Sequence, residues 1–190
     1  MTKDDIIALP NPHLRQKSKR VGIITDEVKR IVKDMQEATL DWDASRAHET
    51  GVALAGVQID RLYKIVVVRS DYGDKDNHDF TVFINPEITK LGGEIKADFE
   101  GCLSVPDVYG KVPRHTKVKV RALDLNGKQF RVTAEGFLAR IFQHEIDHCN
   151  GIVFVDRIKG DPEAFYHLGK EGKLESLDYE KDVKDNSILW

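Results

Sequence analysis

The sequence VKVRALDLNGKQFRVTAEG, residues 118–136, limits the fold more strongly than any other segment of the chain. Apolar and polar residues alternate on both sides of Asn126-Gly127, a pair that tolerates positive φ at both turn positions. The segment is therefore predicted to form a β-hairpin. After Gly136 the apolar residues change to helical spacing, which predicts a helix that Gly151 is well placed to end.

Other apolar patterns predict one earlier helix and several strands. Thr25 is a candidate N-cap for a helix with acidic residues in its first turn. Its apolar positions recur at helical spacing: Val28, Ile31, Val32, Met35 and Trp42. Residues 62–68, 80–84, 94–99 and 152–156 are predicted strands, and the first two are rich in β-branched and aromatic residues. Because strands cluster ahead of a late helix, we expect an α+β fold with mostly antiparallel β-sheets packed around that central helix.

Length and composition fit one globular domain. With 190 residues, 41% hydrophobic and 32% charged, residues 1–190 are expected to form a single catalytic domain whose stretch 160–190 is a weakly structured tail. The net charge of -3 gives no basic field for nucleic acid. Neither a secretory signal nor an apolar run long enough for a bilayer is present, and two cysteines suit a reducing compartment. We expect a cytoplasmic protein without membrane or direct nucleic-acid contacts.

Residues 143–151, QHEIDHCNG, contain two histidines at the spacing of one helical turn. His144 and His148 would lie on one helix face and reach the same metal ion. Ile141 and Phe137, one and two turns upstream of His144, would place an apolar wall on that face. A hydrolytic metal site normally has three protein ligands and one open position, so a third ligand is required.

Several residues are candidates for the third ligand. The metzincin protease pattern requires a histidine at the position of Phe154, which excludes that reading. A thermolysin-like site would use a downstream glutamate such as Glu163 or Glu171, both in the predicted tail. Cys102, in the short sequence EGCLS, can offer a thiolate to the histidines. Taken alone, a single cysteine is better explained as a small buried core residue.

Three motifs together resemble the peptide deformylase family. The family motifs GxGLAAxQ, EGCLS and QHExDH correspond to GVALAGVQ at residues 51–58, EGCLS at residues 100–104 and QHEIDH at residues 143–148. The order and separations are similar, and the resemblance extends over about residues 6–158. It implies a metal-dependent hydrolase that removes the N-formyl group from the N-terminal formylmethionine of newly made polypeptides and releases formate.

The resemblance also implies the metal ligands and the partners. Cys102, His144 and His148 would bind one divalent ion, usually ferrous iron in the cell, with zinc, nickel or cobalt as substitutes. The partners would be N-formylmethionyl peptides, including nascent chains at the ribosome. The central helix of the expected fold would then be the metal-binding helix.

The predicted chemistry needs a base and fixed donors for developing negative charge. Glu145 adjoins the first histidine and can take a proton from water and pass it to the departing amine. The resemblance assigns the two oxyanion donors to the Gln58 side-chain amide and the Leu103 backbone N–H.

The predicted substrate site is apolar. Phe137 and Ile141, with Val52 opposite, are expected to accept an unbranched side chain such as methionine. The resemblance implies that the segment containing Ala53 pairs its backbone with the bound peptide. Ala53 itself departs from the family, which usually has glycine at this position.

Two further departures and one ion pair complete the predictions. Gly56 replaces an alanine, and Cys149 replaces the leucine that commonly follows the second histidine. Cys149 lies off the ligand face of the helix and is predicted to be a core residue. Glu100 and Arg114 are predicted to form an ion pair that braces the turn at Cys102.

Two other functional classes are compatible with the metal motif. A metal-dependent peptidase would cleave internal bonds without a formyl group. A non-catalytic descendant would only bind metal or formylated peptides, and it would be expected to have lost Glu145 or Gln58.

Overall fold

The computed structural model describes residues 1–169 and 172–190. The helices in these residues are α1 (Asp26–Ala44), α2 (Gly136–Cys149) and α3 (Phe154–Ile158). The strands are β1 (Ala53–Ala55), β2 (Ile65–Arg69), β3 (Phe80–Cys102), β4 (Val105–Leu123), β5 (Gln129–Glu135), β6 (Phe165–Leu168) and β7 (Leu174–Ser176). Short 3-10 helices occupy Lys3–Asp5, Pro12–Arg15 and Gly56–Ile59, and Tyr179–Val183 forms one π-helical turn.

The strands pair antiparallel in the order β1-β2-β3-β4-β6-β7, and β5 also pairs with β4. The long strands β3 and β4 stay paired from Ile84↔Leu123 to Cys102↔Val105, with register shifts that interrupt the ladder. Each end of β4 has a different second neighbour, because residues 108–110 pair with β6 and residues 117–123 pair with β5. The predicted α+β class with a mostly antiparallel sheet is confirmed.

Helix α2 is the central helix of the fold. Every residue from Ala139 to Cys149 is buried, and the helix contacts β1, β4 and β5. Its last residue is Cys149, and Gly151 terminates it as predicted, with a φ of 76°. The Gly151 N–H donates to His148 O and the Ile152 N–H donates to Asp147 O. This Schellman pattern satisfies two carbonyls at the end of the helix.

The predicted α1 helix and the predicted hairpin are also present. Thr25 caps α1, since its side chain accepts a hydrogen bond from the Val28 N–H. Strands β4 and β5 form the hairpin, but only Gly127 in its turn has positive φ. The side chain of Asp124 accepts from the N–H groups of Asn126 and Lys128, so a side-chain cap replaces the turn with two positive φ values.

The prediction of a strand at residues 152–156 is wrong, because Phe154–Ile158 forms α3. The Asp156 carboxylate accepts from the Val153 N–H at 2.8 Å and caps the first turn. The periodicity of a short apolar run does not distinguish a buried strand from a buried helix. Here the hydrogen bond between the Val153 N–H and the Asp156 carboxylate stabilises the helix. Phe154 and Ile158 then pack in one core cluster with Cys102.

The predicted weakly structured tail is also wrong for much of its length. β6 pairs with β4 and β7 pairs with β6, so the polar stretch extends the sheet. Phe165, Val183 and Leu189 are buried in the core cluster that contains Cys102. These apolar residues are too widely spaced in the sequence to form a local pattern. They become core residues through tertiary packing in this cluster, and Phe165 also pairs with β4. None of the helices in the described residues is both long and apolar enough to cross a membrane.

Candidate metal centre

The side chains of Cys102, His144 and His148 converge at one buried point. Cys102 is the last residue of β3, at the tight turn where Cys102 pairs with Val105. The two histidines lie one turn apart on α2. His148 Nε2 is 3.2 Å from both Cys102 Sγ and His144 Nε2, and the three ligand atoms lie within 4.8 Å of one another.

This donor set fits a divalent metal ion. Two nitrogens at metal-ligand distance in a tetrahedral site are ~3.3 Å apart, and a sulfur and a nitrogen slightly more. The observed separations are near these values. Two imidazole Nε2 atoms that face each other inside a protein, beside a thiol, require a shared cation or proton. One thiolate and two imidazoles are ligands that iron(II) and zinc both accept.

Glu100 holds the first histidine in position. Its carboxylate lies 2.9 Å from His144 Nδ1, which directs the Nε2 lone pair toward Cys102 and His148. Arg114 donates two hydrogen bonds to the same carboxylate, at 2.9 and 3.0 Å, and Arg140 donates a third at 2.7 Å. The predicted ion pair of Glu100 with Arg114 is therefore present and buried. Burial raises the pKa of Glu100, but the hydrogen bonds and charges of His144 and Arg114 outweigh it and hold this pKa well below its usual range.

Two charged residues of this cluster were not predicted. Arg140 lies one turn before His144, and Asp147 accepts hydrogen bonds from Arg114 and Arg157. The spacing of Arg140 from His144, four residues on one helix face, was a signal in the sequence. No local pattern indicates the partners of Asp147, because they come from β4 and from α3.

Glu145 is buried beside the two histidines. Its Oε2 atom has no hydrogen-bond partner among the described residues. Burial raises the pKa of the Glu145 carboxyl to about 7. A carboxylate with such a pKa can both accept and release a proton near neutral pH.

Gln58 is held from both ends of its side-chain amide. Its Oε1 accepts from the Ala55 N–H at 2.8 Å, which fixes Nε2 as the donor. Nε2 donates to Ser104 Oγ at 3.1 Å and lies 3.5 Å from Cys102 Sγ. The amide donor therefore points to the Cys102 turn, where Leu103 is half-buried.

A cleft of about 320 Å³ opens from this centre to the surface. All four predicted substrate residues line it, together with Gln58, Leu103 and Glu145. Ile141 and Ala53 are buried, Val52 is half-buried, and Phe137 is 49% exposed. The ring of Tyr72 packs edge-on against Phe137, with 5.4 Å between the ring centroids. The cleft is thus lined mainly by apolar surface, with the polar groups of Gln58 and Glu145 beside the candidate metal ligands.

The other candidate ligands lie away from this point or outside the described residues. Cys149 is buried in a core cluster, as its position on the helix predicts, and burial raises the pKa of its thiol to about 12. Glu163 is exposed, whereas Glu171 lies outside the described residues. Phe154, at the position of a third metzincin histidine, is a buried residue of α3.

Comparisons with known proteins give one family. The family model described as polypeptide deformylase matches residues 3–163. A peptide deformylase of Thermomicrobium roseum is 44% identical over 157 residues, which cover 81% of this chain and 85% of the relative. One from Psychrobacter arcticus is 42% identical over 151 residues, covering 80% and 77%.

Solved structures give the same family. A peptide deformylase of Synechococcus elongatus, in complex with actinonin, is similar with a TM-score of 0.74 and 36% identity, covering 82% of this chain and 80% of that one. A peptide deformylase of Legionella pneumophila is similar with a TM-score of 0.71 and 40% identity, covering 80% and 83%.

The buried carboxylate of Glu100 gives a stability prediction. Glu100→Gln removes the charge that two buried arginines face, and an uncompensated buried charge costs about 3–5 kcal/mol. Urea unfolding at equal metal loading should give a loss of this size. The matched control is Glu87→Gln, which breaks an exposed pair with Arg121 and should cost less than about 1 kcal/mol. Equal losses in the two variants would contradict the role assigned to Glu100.

Proposed function

The chain belongs to the polypeptide deformylase family, and we propose that it removes the N-formyl group from the N-terminal formylmethionine of newly made polypeptides. Water adds to the formyl carbon, the C–N bond breaks, and formate and a free amine leave. The observation that carries the proposal is the convergence of Cys102, His144 and His148 at the base of a cleft, with Glu145 beside them. Members of this family are metal-dependent hydrolases.

We assign Cys102 Sγ, His144 Nε2 and His148 Nε2 as the ligands of one divalent ion. When bound, such an ion supplies Lewis-acid chemistry, since it makes water more nucleophilic at neutral pH and polarises a carbonyl oxygen. A soft thiolate with two imidazoles suits Fe²⁺, and Zn²⁺, Ni²⁺ or Co²⁺ would substitute. The short separations among the three ligand atoms support this assignment.

Glu145 is the proposed general base and acid. It takes the proton of the attacking water and delivers it to the amine nitrogen as the C–N bond breaks. Its burial supports this role, and so does its Oε2, which has no hydrogen-bond partner in the part of the chain that the structure describes and can accept a proton. The raised pKa suits a group that must also give the proton back.

Gln58 and Leu103 are the proposed donors to the negative charge that develops on the formyl oxygen. The Gln58 amide is preoriented by Ala55, so little reorganisation is needed when the charge appears. The Leu103 backbone N–H follows Cys102 directly in the tight turn. One donor on each side of the formyl oxygen would form an oxyanion hole.

The methionine side chain is proposed to lie between Phe137, Ile141 and Val52. A flexible, unbranched thioether fits an apolar trough of this kind. Strand β1 pairs only with β2 among the described strands, so its other edge is open to an extended peptide. Ala53 on this edge lines the cleft, which supports backbone pairing between this segment and the substrate.

The competing functions have less support. A peptidase of the thermolysin type would need a glutamate ligand, and Glu163 is exposed. A non-catalytic descendant would not need to retain both Glu145 and Gln58. We further propose that residues 1–190 act as one catalytic domain in the cytoplasm, with nascent chains at the ribosome among its substrates.

The proposed activity predicts formate release from formyl-Met-Ala-Ser by protein prepared without oxygen. A chelator should abolish the release, and added Fe²⁺ or Ni²⁺ should restore it. Acetyl-Met-Ala-Ser is the control substrate, and its hydrolysis at the same rate would contradict a formyl-specific site. Cleavage of an internal peptide bond, without formate, would indicate the peptidase.

The ligand assignment predicts a difference between the two cysteines. Cys102→Ala should lose most of its bound metal, because only two ligands remain. Cys149→Ala changes only a core residue next to His148, so this variant should keep its bound metal. Metal analysis after gel filtration measures both, and equal loading in the two variants would exclude Cys102 as a ligand.

The role of Glu145 predicts that binding and chemistry can be separated. Glu145→Gln should keep its metal and lose turnover by at least about 10²-fold, the contribution of a positioned acid-base group. Gln58→Leu should lose about 10²- to 10³-fold in kcat, the cost of one oxyanion donor. Near-normal turnover in either metal-loaded variant would refute the role given to that residue.

A further inference from the structure

Strands β6 and β7 follow residue 163, where the family match ends, yet they reach the catalytic cleft. β6 pairs with the start of β4, through Val108↔His167, Tyr109↔Tyr166 and Gly110↔Phe165. This part of β4 comes a few residues after the Cys102 turn. The β6–β7 hairpin, defined as residues 165–169 and 172–176, is therefore attached beside the metal centre.

One face of the β6–β7 hairpin forms an apolar part of the cleft wall. Leu168 and Leu174 are direct cross-strand partners, so their side chains lie on the same face. Both line the cleft, and so does Phe99 of β3. Phe99 is 39% exposed, and its ring meets that of Tyr166 edge-on at 4.9 Å between centroids. Two leucines and one aromatic ring thus contribute apolar side chains to this part of the cleft wall.

The β6–β7 hairpin also meets the opposite wall. A Cβ placed on Gly172 would lie 3.4 Å from the His48 ring, and His48 precedes β1. Beside this contact, the Tyr109 hydroxyl donates a hydrogen bond to Glu49, another residue of the cleft. The hairpin therefore bounds the part of the cleft beside residues 48–49, which lead into β1.

We propose that the β6–β7 hairpin binds an apolar side chain of a substrate residue after the formylmethionine. The inference rests on the proposed deformylase function, because it places the first residue at the metal centre. An extended peptide advances about 3.3 Å per residue and alternates its side chains, so the second or third residue can meet the hairpin. The paired leucines exclude water from that side chain, which favours leucine over alanine there.

The test compares formyl-Met-Ala-Ala with formyl-Met-Leu-Ala and formyl-Met-Ala-Leu. The wild-type enzyme should prefer one of the leucine peptides in kcat/KM, mainly through KM. The double variant Leu168→Ala/Leu174→Ala should show a preference for that leucine peptide about 3- to 10-fold smaller than that of the wild-type enzyme. A loss of this size is expected when methylene contacts are removed from an apolar site. The single variant Leu174→Ala, on the short outer strand, should show a smaller fall in the same direction.

The matched control is Leu91→Ala, a half-exposed leucine of β3 outside the cleft, which should leave the preference unchanged. An unchanged preference in the hairpin variants would overturn the inference while leaving the deformylase function intact. An equal loss on all three peptides would also overturn it, because the hairpin would then act only on the fold. Absence of formate release by the wild-type enzyme would instead refute the proposed function.

Discussion

The site depends on the burial of one carboxylate, that of Glu100. A carboxylate removed from water is costly unless its oxygens are fully paired, and here Arg114, Arg140 and His144 supply the partners. These groups come from β4 and from two successive turns of α2. The requirement to pair a single charge therefore fixes the end of β3 against the helix, and with it the distance from Cys102 to the histidines.

The same requirement extends away from the metal centre. Arg114 also donates to Asp147, and Arg157 of α3 donates to both oxygens of that carboxylate. Arg15, near the start of the chain, pairs with Asp156 of α3 and donates a hydrogen bond to the carbonyl of Leu189 in the C-terminal segment. α3 and the C-terminal segment are thus connected by ion pairs and hydrogen bonds to the elements that carry the candidate ligands. These partly exposed contacts add to the apolar packing of Phe154, Val183 and Leu189 in the core cluster that contains Cys102.

The sequence predicted those features that depend on neighbouring residues. The spacing of His144 and His148, the Thr25 cap and the β4–β5 hairpin all follow from local periodicity or turn chemistry. The partners of Arg140 and Asp147 were not predicted, because they come from other elements, β3, β4 and α3, and no local pattern indicates them. The β6–β7 hairpin was not predicted either, because its strands form by pairing with β4, which is distant in the sequence.

The two departures within the first family motif, Gly56 and Ala53, affect the conformation of the backbone and leave the proposed catalytic side chains unchanged. A Cβ on Gly56 would lie 2.9 Å from the Arg61 carbonyl and 3.0 Å from that of Tyr63, too close for alanine without a shift of the backbone. Glycine therefore lets the chain fold back tightly here, and the 3-10 helix that carries Gln58 begins at this residue.

Ala53 is a second adaptation, and it has a different physical basis. The residue is buried at the start of β1, opposite Val68, and it belongs to the core cluster that contains Ile141 and Phe142 of α2. Its methyl group is therefore shared between that core and the cleft, and it stiffens an edge strand that glycine would leave flexible. Gly56 therefore acts on the turn that carries Gln58, whereas Ala53 acts on the strand edge along which the peptide is proposed to bind.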